Sequence, residues 1–194
     1  ADFQKDEEGN RILEYASGDL VAALTTDVNG EAHLENLPLG TYRVAETKAP
    51  DGYVLNESEQ TVTFAYVDQK TPVTAQAITF ENDRQKVEIS VVKKDAKTEA
   101  VVGGAVFGLY AKNNILAHGE VIAEADMLLG EAVTEADGKA VFALDIPFGE
   151  YYIRELKAPA GYVSSDEIIE VIAAYQGQDV KVVTLSSELQ NEPT

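Results

Sequence analysis

The chain has 194 residues, of which 34 are acidic and 15 are basic, so its formal net charge is -19. This charge argues against nucleic acid or an anionic membrane as a partner, because both bind cationic surfaces. The sequence has no cysteine, so neither a disulfide nor a thiolate metal site can brace the fold. It also lacks a long apolar run and a signal-like segment, so we expect this segment neither to span a membrane nor to carry its own export signal.

The sequence repeats itself, which is the first indication of its architecture. The segment Tyr42–Tyr53, which reads YRVAETKAPDGY, returns as Tyr151–Tyr162, which reads YYIRELKAPAGY. Upstream, Thr26–Gly30 matches Thr134–Gly138 in the same register apart from one residue. These matches predict two copies of one domain.

The two copies predict one domain over residues 1–85 and a second over residues 86–194. They are not equally complete. Ala1–Phe3 matches Ala105–Phe107, so the counterpart of Lys86–Gly104 is missing from the first copy. We therefore expect the first domain to lack its first strand.

Apolar and polar residues alternate in both copies, in runs rich in β-branched and aromatic residues such as Thr61–Val67 and Lys86–Val92. Asn29-Gly30 and Asp137-Gly138 lie between such runs and are typical of tight hairpin turns. Short strands with regular turns predict an all-β fold, with an antiparallel sandwich in each domain. The segment Glu120–Leu129 is compatible with a short helix or with a strand, and we favour the strand.

In several predicted strands, a polar residue stands at a position where the alternation calls for an apolar one. In the second copy these are Lys93, Glu155 and Asn191, and the first copy repeats two of them as Glu46 and Asn82. Because residues two apart share a sheet face, all are predicted to point inward. Each one alone is more commonly a solvent-facing or capping residue. Their recurrence at the same spacing favours a buried cluster.

A lysine, a glutamate and an asparagine buried together can react with one another. Burial disfavours the charged forms of the lysine and the glutamate, so a proton can pass between them and leave a free amine beside a carboxylic acid. The amine can then attack the asparagine carboxamide. The glutamic acid can polarise the carbonyl group and carry the proton that expels ammonia. The expected product is a Lys-Asn amide.

Several motifs resemble a known family. They are Gly104-Ala-Val-Phe107, the Tyr-x-x-x-Glu that ends at Glu46 and Glu155, the Lys-Ala-Pro-x-Gly-Tyr that follows each, and Asn191-Glu-Pro193. Together they resemble the B-type (CnaB or SpaA-like) repeat domains of Gram-positive collagen adhesins and pilins, over essentially the whole chain. The resemblance implies two tandem transthyretin-like, reverse immunoglobulin-like β-sandwich domains.

The same resemblance implies a role for each residue of the cluster. Lys93 would be the nucleophile, Asn191 the acceptor and Glu155 the catalyst of a spontaneous intramolecular isopeptide bond. Glu46 and Asn82 would form a half-site whose lysine is absent from the chain. The chemistry would be single-turnover self-cross-linking, so we expect no enzyme acting on an external substrate. No cofactor and no metal site is indicated.

The resemblance also implies a function and a location. We expect a structural stalk or spacer of an adhesin or pilin, secreted and held at the cell surface or cell wall of a Gram-positive bacterium. Its partners would be neighbouring domains of the same surface protein. The alternative is a ligand-binding adhesin domain that recognises a host extracellular matrix protein or glycan through the loop Lys112–Leu129.

Overall fold

The computed structural model describes residues 7–8, 15–71, 74–117 and 119–194. The chain forms two compact units, of which the first comprises Ala1–Glu46 and Glu57–Phe80. The second comprises Thr47–Asn56 and Glu81–Thr194. Residues 1–3, on which the expectation of a missing first strand depends, lie outside the described residues.

In its described part, the first unit contains a two-stranded antiparallel sheet of β1 (Gly40–Ala45) and β2 (Glu59–Phe64). Side chains alternate between half-buried and exposed along β1, as the period-two pattern predicts. The turn at Asn29-Gly30 is present, and Gly30 adopts a positive φ of 78°. Residues 19–27 and 31–38, which flank this turn, form no strand.

Where the structure describes it, the second unit contains nine strands, which confirms the all-β prediction. They are β3 (Lys86–Asp95), β4 (Val106–Ala111), β5 (Ile115–Ala117), β6 (Glu120–Ala123), β7 (Leu128–Val133), β8 (Lys139–Phe142), β9 (Gly149–Lys157), β10 (Ile168–Ala173) and β11 (Val182–Asn191). The strand interpretation of Glu120–Leu129 is confirmed, since this segment contains β6 and the start of β7. Among the described residues, no helix is long and apolar enough to cross a membrane.

Seven of these strands form two sheets. One sheet has the order β10-β9-β4-β7 and is antiparallel throughout. The other has the order β11-β3-β8, in which β3 pairs with β11 in parallel and with β8 antiparallel. The first and last strands of the unit are therefore direct neighbours.

The core consists of the inward-facing side chains of both sheets. Phe107, Leu109 and Ile153 come from the four-stranded sheet, and Val91 and Leu189 come from the three-stranded sheet; each is no more than 1% exposed. Burial of each large apolar side chain contributes about 1.5–3 kcal/mol. This core fixes the register of the strands, because a slip of one residue would turn their apolar side chains to solvent.

Candidate functional site

Three strands bring polar side chains into this apolar core. Lys93 lies near the end of β3, Asn191 ends β11, and Glu155 lies on β9 in the other sheet. Their exposed fractions are 0% for Lys93, 2% for Asn191 and 8% for Glu155. The three predicted residues of the second domain therefore meet in the interior. They point inward because each continues the buried phase of its strand.

Each of the three side chains contacts the other two. The Nζ atom of Lys93 lies 3.6 Å from Oε1 of Glu155 and donates a hydrogen bond to Oδ1 of Asn191. The Nδ2 atom of Asn191 donates to Oε1 and Oε2 of Glu155 at 2.9 and 3.0 Å. Lys93 also donates to the backbone oxygen of Leu189 at 3.3 Å. The amine, the carboxamide and the carboxylate are therefore in mutual contact.

The surroundings of Lys93 act on its charge in two opposite ways. Burial lowers the pKa of Lys93 below its ordinary value, and the neighbouring charge of Glu155 opposes this shift. The Nζ atom of Lys93 and Oε1 of Glu155 lie 3.6 Å apart, and both side chains are fully buried. Transfer of one proton from the ammonium group to the carboxylate would give two neutral groups, and desolvation favours neutral forms.

The carboxamide of Asn191 faces Glu155 with its nitrogen and Lys93 with its carbonyl oxygen. Sequence reasoning had the glutamic acid polarise the carbonyl group. In this arrangement, the lysine contacts the carbonyl oxygen and the carboxylate contacts the nitrogen that would leave as ammonia. Glu155 is therefore placed to protonate the leaving group.

Sequence reasoning missed two further contacts of Glu155. The backbone N–H of Ser165 donates to Oε2 at 2.8 Å, and the hydroxyl of Ser164 donates to the same oxygen at 3.3 Å. Both serines lie in the loop between β9 and β10, where no strand period applies. The loop therefore brings donors to the carboxylate that no sequence pattern indicated.

The two residues of the first-copy half-site are half-buried and belong to different units. Glu46 ends the first segment of the first unit, and Asn82 belongs to the second unit. The Nδ2 atom of Asn82 donates to the backbone oxygen of Val54 at 3.0 Å. The role predicted for Glu46 and Asn82 stays a prediction.

The segment that follows each asparagine docks on the Gly-Tyr turn of its own copy in the same way. Two backbone hydrogen bonds of the first copy have a counterpart in the second. The bond from Val54 N to Asp83 O corresponds to the bond from Val163 N to Glu192 O. The bond from Gln85 N to Gly52 O corresponds to the bond from Thr194 N to Gly161 O. Their lengths are 2.8 and 2.9 Å in the first pair and 2.9 Å twice in the second. The sequence repeat is thus also a repeat of local geometry.

Metal ligation has no support in the part of the chain that the structure describes, since no group of three or more histidine or acidic side chains could hold an ion there. His33, one of two histidines in the chain, lies 3.7 Å from Glu31 on the surface.

The fold and the buried cluster define a class of protein, a two-sheet β-sandwich with a lysine, a glutamate and an asparagine in contact between its sheets. A family model described as "SpaA: Prealbumin-like fold domain" matches residues 3–79 and again residues 87–188. The chain belongs to this family and carries two copies of its domain. The predicted family resemblance and the transthyretin-like fold are both confirmed.

Individual relatives cover much of this chain but are longer than it. The "Trypsin-resistant surface T6 protein" of Streptococcus pyogenes serotype M6 is 30% identical over 122 residues, which are 61% of this chain and 20% of that protein. The solved structure of the Bacillus anthracis TIE protein is 28% identical with a TM-score of 0.62, over 88% of this chain and 28% of that chain. The group B streptococcus pilus 2b backbone protein is 22% identical with a TM-score of 0.43, over 85% and 53%. The chain thus spans a fifth to about half of these proteins.

Proposed function

We propose that this chain is a structural shaft segment of a Gram-positive surface protein, and that its second domain locks itself with an amide bond between Lys93 and Asn191. The observation that carries the proposal is the mutual contact of Lys93, Glu155 and Asn191 inside a largely apolar core. An apolar interior tolerates such groups only when they neutralise one another, and the amide product removes both the buried ammonium charge and its ion pair.

The reaction begins with proton transfer and conserves atoms throughout. Lys93 gives a proton to Oε1 of Glu155, which lies 3.6 Å away, and its neutral amine attacks Cγ of Asn191. The bond from Nζ to Cγ forms and the bond from Cγ to Nδ2 breaks. Glu155 returns its proton to Nδ2 and takes up the proton that Nζ must lose. Ammonia leaves as the neutral molecule, and Glu155 stays protonated, so that no charge is left in the core.

The fold supplies what makes this amide exchange feasible. Uncatalysed attack of an amine on an amide is very slow, whereas reacting groups held in contact gain effective molarities of about 10⁵–10⁸ M. Here β3 and β11 are hydrogen-bonded neighbours, with Leu189 opposite Lys93 in the register. Each molecule reacts once and turns over no external substrate, so we do not class the protein as an enzyme.

The position of the bond explains its use in a shaft. Lys93 and Asn191 are separated by 98 positions, and they lie on the first and last strands of the second unit. Tension applied at the two ends of this unit would pass from β3 to β11 through the amide. The strands between them would carry no tension and could not be pulled out.

The family and its relatives also support a location and a set of partners. The streptococcal relative is named as a surface protein. This name supports a location at the surface or cell wall of a Gram-positive bacterium for the present chain. Its expected partners are the adjoining domains of the same protein. The net charge of -19 suits a hydrated, self-repelling surface.

Force spectroscopy tests the shaft function. When the chain is pulled from its ends, the residues between Lys93 and Asn191 should add no length. Lys93→Met removes the nucleophile, so unfolding of this variant should release the 98-residue span, roughly 330 Å of chain. An equal extension in wild type and variant would contradict the proposal.

The alternative function, a ligand-binding adhesin domain, is favoured by a surface groove. The groove has a volume of about 520 Å³ and includes Lys112 and Asp126 from the predicted loop, with Tyr110 and Tyr152 stacked at 5.0 Å beside them. Aromatic and charged side chains together suit a glycan or a protein loop. Binding to a host-matrix array that Tyr152→Ala abolishes would favour the adhesin. Absence of binding would leave the shaft function alone.

A further inference from the structure

The loop that follows β9 contacts Glu155 directly, and it contacts the other two cluster strands within two residues of Lys93 and Asn191. It contains Tyr162, Val163, Ser164 and Ser165, and we call Tyr162–Ser165 the return segment. Two of its four residues hold Glu155 directly, since the N–H of Ser165 and the hydroxyl of Ser164 both donate to Oε2. The other two hold the strands that carry the cross-linked pair.

The return segment makes the two oxygens of Glu155 different. Oε2 accepts from Ser165 at 2.8 Å, from Asn191 at 3.0 Å and from Ser164 at 3.3 Å. Oε1 faces Asn191 at 2.9 Å and Lys93 at 3.6 Å. The anchored oxygen is thus turned toward the loop, and the other faces the two reacting nitrogens. If the carboxylate rotated, Oε1 would no longer face the two nitrogens, and the hydrogen bonds from the loop to Oε2 would be lost.

Tyr162 holds the strand that carries the lysine. Its hydroxyl donates to Oδ2 of Asp95 at 2.9 Å, and Asp95 lies two residues after Lys93 and opposite Asn191 in the register. Hydrogen bonds from the backbone N–H groups of Thr98 and Lys97, together with the one from the Tyr162 hydroxyl, lower the pKa of Asp95 to about 2. Asp95 is therefore a permanent charged acceptor for Tyr162 at neutral pH.

Val163 holds the strand that carries the asparagine. Its N–H donates at 2.9 Å to the backbone oxygen of Glu192, the residue after Asn191. Tyr162 also forms an isolated β-bridge with Pro193. The end of β11 is fixed within one residue of the carboxamide that reacts.

We propose that the return segment Tyr162–Ser165 is the positioning element of the cross-linking reaction, with Ser164 and Tyr162 as positioning residues. The inference rests on the proposed function. The segment presents Oε1 of Glu155 to both nitrogens and sets the ends of β3 and β11. Errors of about 1 Å in such an arrangement reduce rates by about 100-fold.

The fold itself does not require the Ser164 hydroxyl. Ser164 lies nine residues after Glu155, and the residue at the same distance from Glu46 in the first copy is Leu55. The first copy nevertheless keeps the backbone hydrogen bond of the segment, from Val54 to Asp83. The hydroxyl therefore belongs to the complete site rather than to the turn.

The test measures how fast the bond forms in freshly made protein. The full chain is synthesised in a cell-free system, stopped in urea before it folds, and diluted into buffer. Loss of ammonia is then followed by intact mass spectrometry, and folding is followed separately by circular dichroism. Ser164→Ala and Tyr162→Phe should each slow ammonia loss by about tenfold or more at an unchanged folding rate. Ser164→Thr, which keeps a hydroxyl, should react close to the wild-type rate.

A control substitution separates positioning from general effects. Tyr175→Phe removes a tyrosine hydroxyl that makes none of the contacts above, so this variant should react at the wild-type rate.

The outcomes distinguish the two levels of the argument. A wild-type chain that never loses ammonia overturns the proposed function itself. A reactive wild type with Ser164→Ala and Tyr162→Phe at the same rate overturns the positioning inference alone. Failure of Ser164→Thr to restore the rate also overturns the role of Ser164, because it would trace the effect to packing.

Discussion

Removal of the lysine nucleophile should lower the stability of the second unit by an amount that follows from the position of the bond. Lys93 and Asn191 are separated by 98 positions. By the chain-entropy relation for cross-links, a loop of about 100 residues contributes about 4–5 kcal/mol to the free energy of unfolding. For a unit of this size, this corresponds to a Tm lower by about 15–20 °C.

The substitution must not leave a buried charge behind. Lys93→Met alone strands the carboxylate of Glu155, and an unpaired buried charge costs about 3–5 kcal/mol more. The double variant Lys93→Met with Glu155→Gln removes both charges and keeps side chains of similar length. The matched control is Lys94→Met. Lys94 is the adjacent residue, is partly exposed and pairs with Glu188 at 2.7 Å on the surface.

Differential scanning calorimetry, with intact mass measured on the same samples, provides the assay. The double variant should melt about 15–20 °C below wild type, whereas Lys94→Met should melt close to wild type. Equal melting of the double variant and Lys94→Met would refute the reasoning, because it would mean that the buried lysine closes no loop.

Three further predictions concern residues outside the reacting trio. The pKa of Asp95 is about 2 in the folded protein against an ordinary 3.8, so the stability that this carboxylate contributes is complete above about pH 4 and is lost as the pH falls to about 2. The difference in urea midpoint between Asp95→Asn and its parent, both in the Lys93→Met background, should therefore shrink between about pH 4 and about pH 2. Burial raises the pKa of Tyr151 to about 12, so one step in tyrosinate absorbance should come at about pH 12 and be absent in Tyr151→Phe. The same absorbance titration in wild type and Tyr151→Phe would contradict the burial of Tyr151. Gly138→Ala should lower the free energy of unfolding by about 1–3 kcal/mol more than Gly177→Ala does, as measured by chemical unfolding. Both glycines have a positive φ, but only at Gly138 would the new Cβ lie 2.9 Å from a backbone oxygen. Equal losses of stability would show that the turn can relax.

The sequence was sufficient to predict which residues share the core. A strand has a fixed side-chain period of two, so Lys93, Glu155 and Asn191 could be assigned to inward faces without knowing how the strands pair. The recurrence of Glu155 and Asn191 as Glu46 and Asn82 then indicated a set of related residues rather than isolated polar residues. The hairpin turn at Asp137-Gly138 was predictable for the same kind of reason, because positive φ selects glycine there.

Other features depend on tertiary arrangement and left no local signal. The parallel pairing of β3 with β11 joins segments at opposite ends of the unit. The contacts of Ser164 and Ser165 depend on the path of a loop, and the orientation of the Asn191 carboxamide depends on which neighbours can accept or donate. In the first unit, the turn at Asn29-Gly30 formed without the flanking strands that alternation had indicated. Turn chemistry is local, whereas a strand needs a partner strand.

Intact mass spectrometry of the folded wild-type chain, followed by peptide mapping, tests the proposed bond most directly. The proposal predicts a mass lighter than the sequence mass by one ammonia, and one branched peptide that joins Lys93 to Asn191. Glu155→Gln should retain the full mass, because no carboxylate is then available to move the protons. A folded wild-type chain at its full sequence mass, with Lys93 and Asn191 in separate peptides, would contradict the proposal.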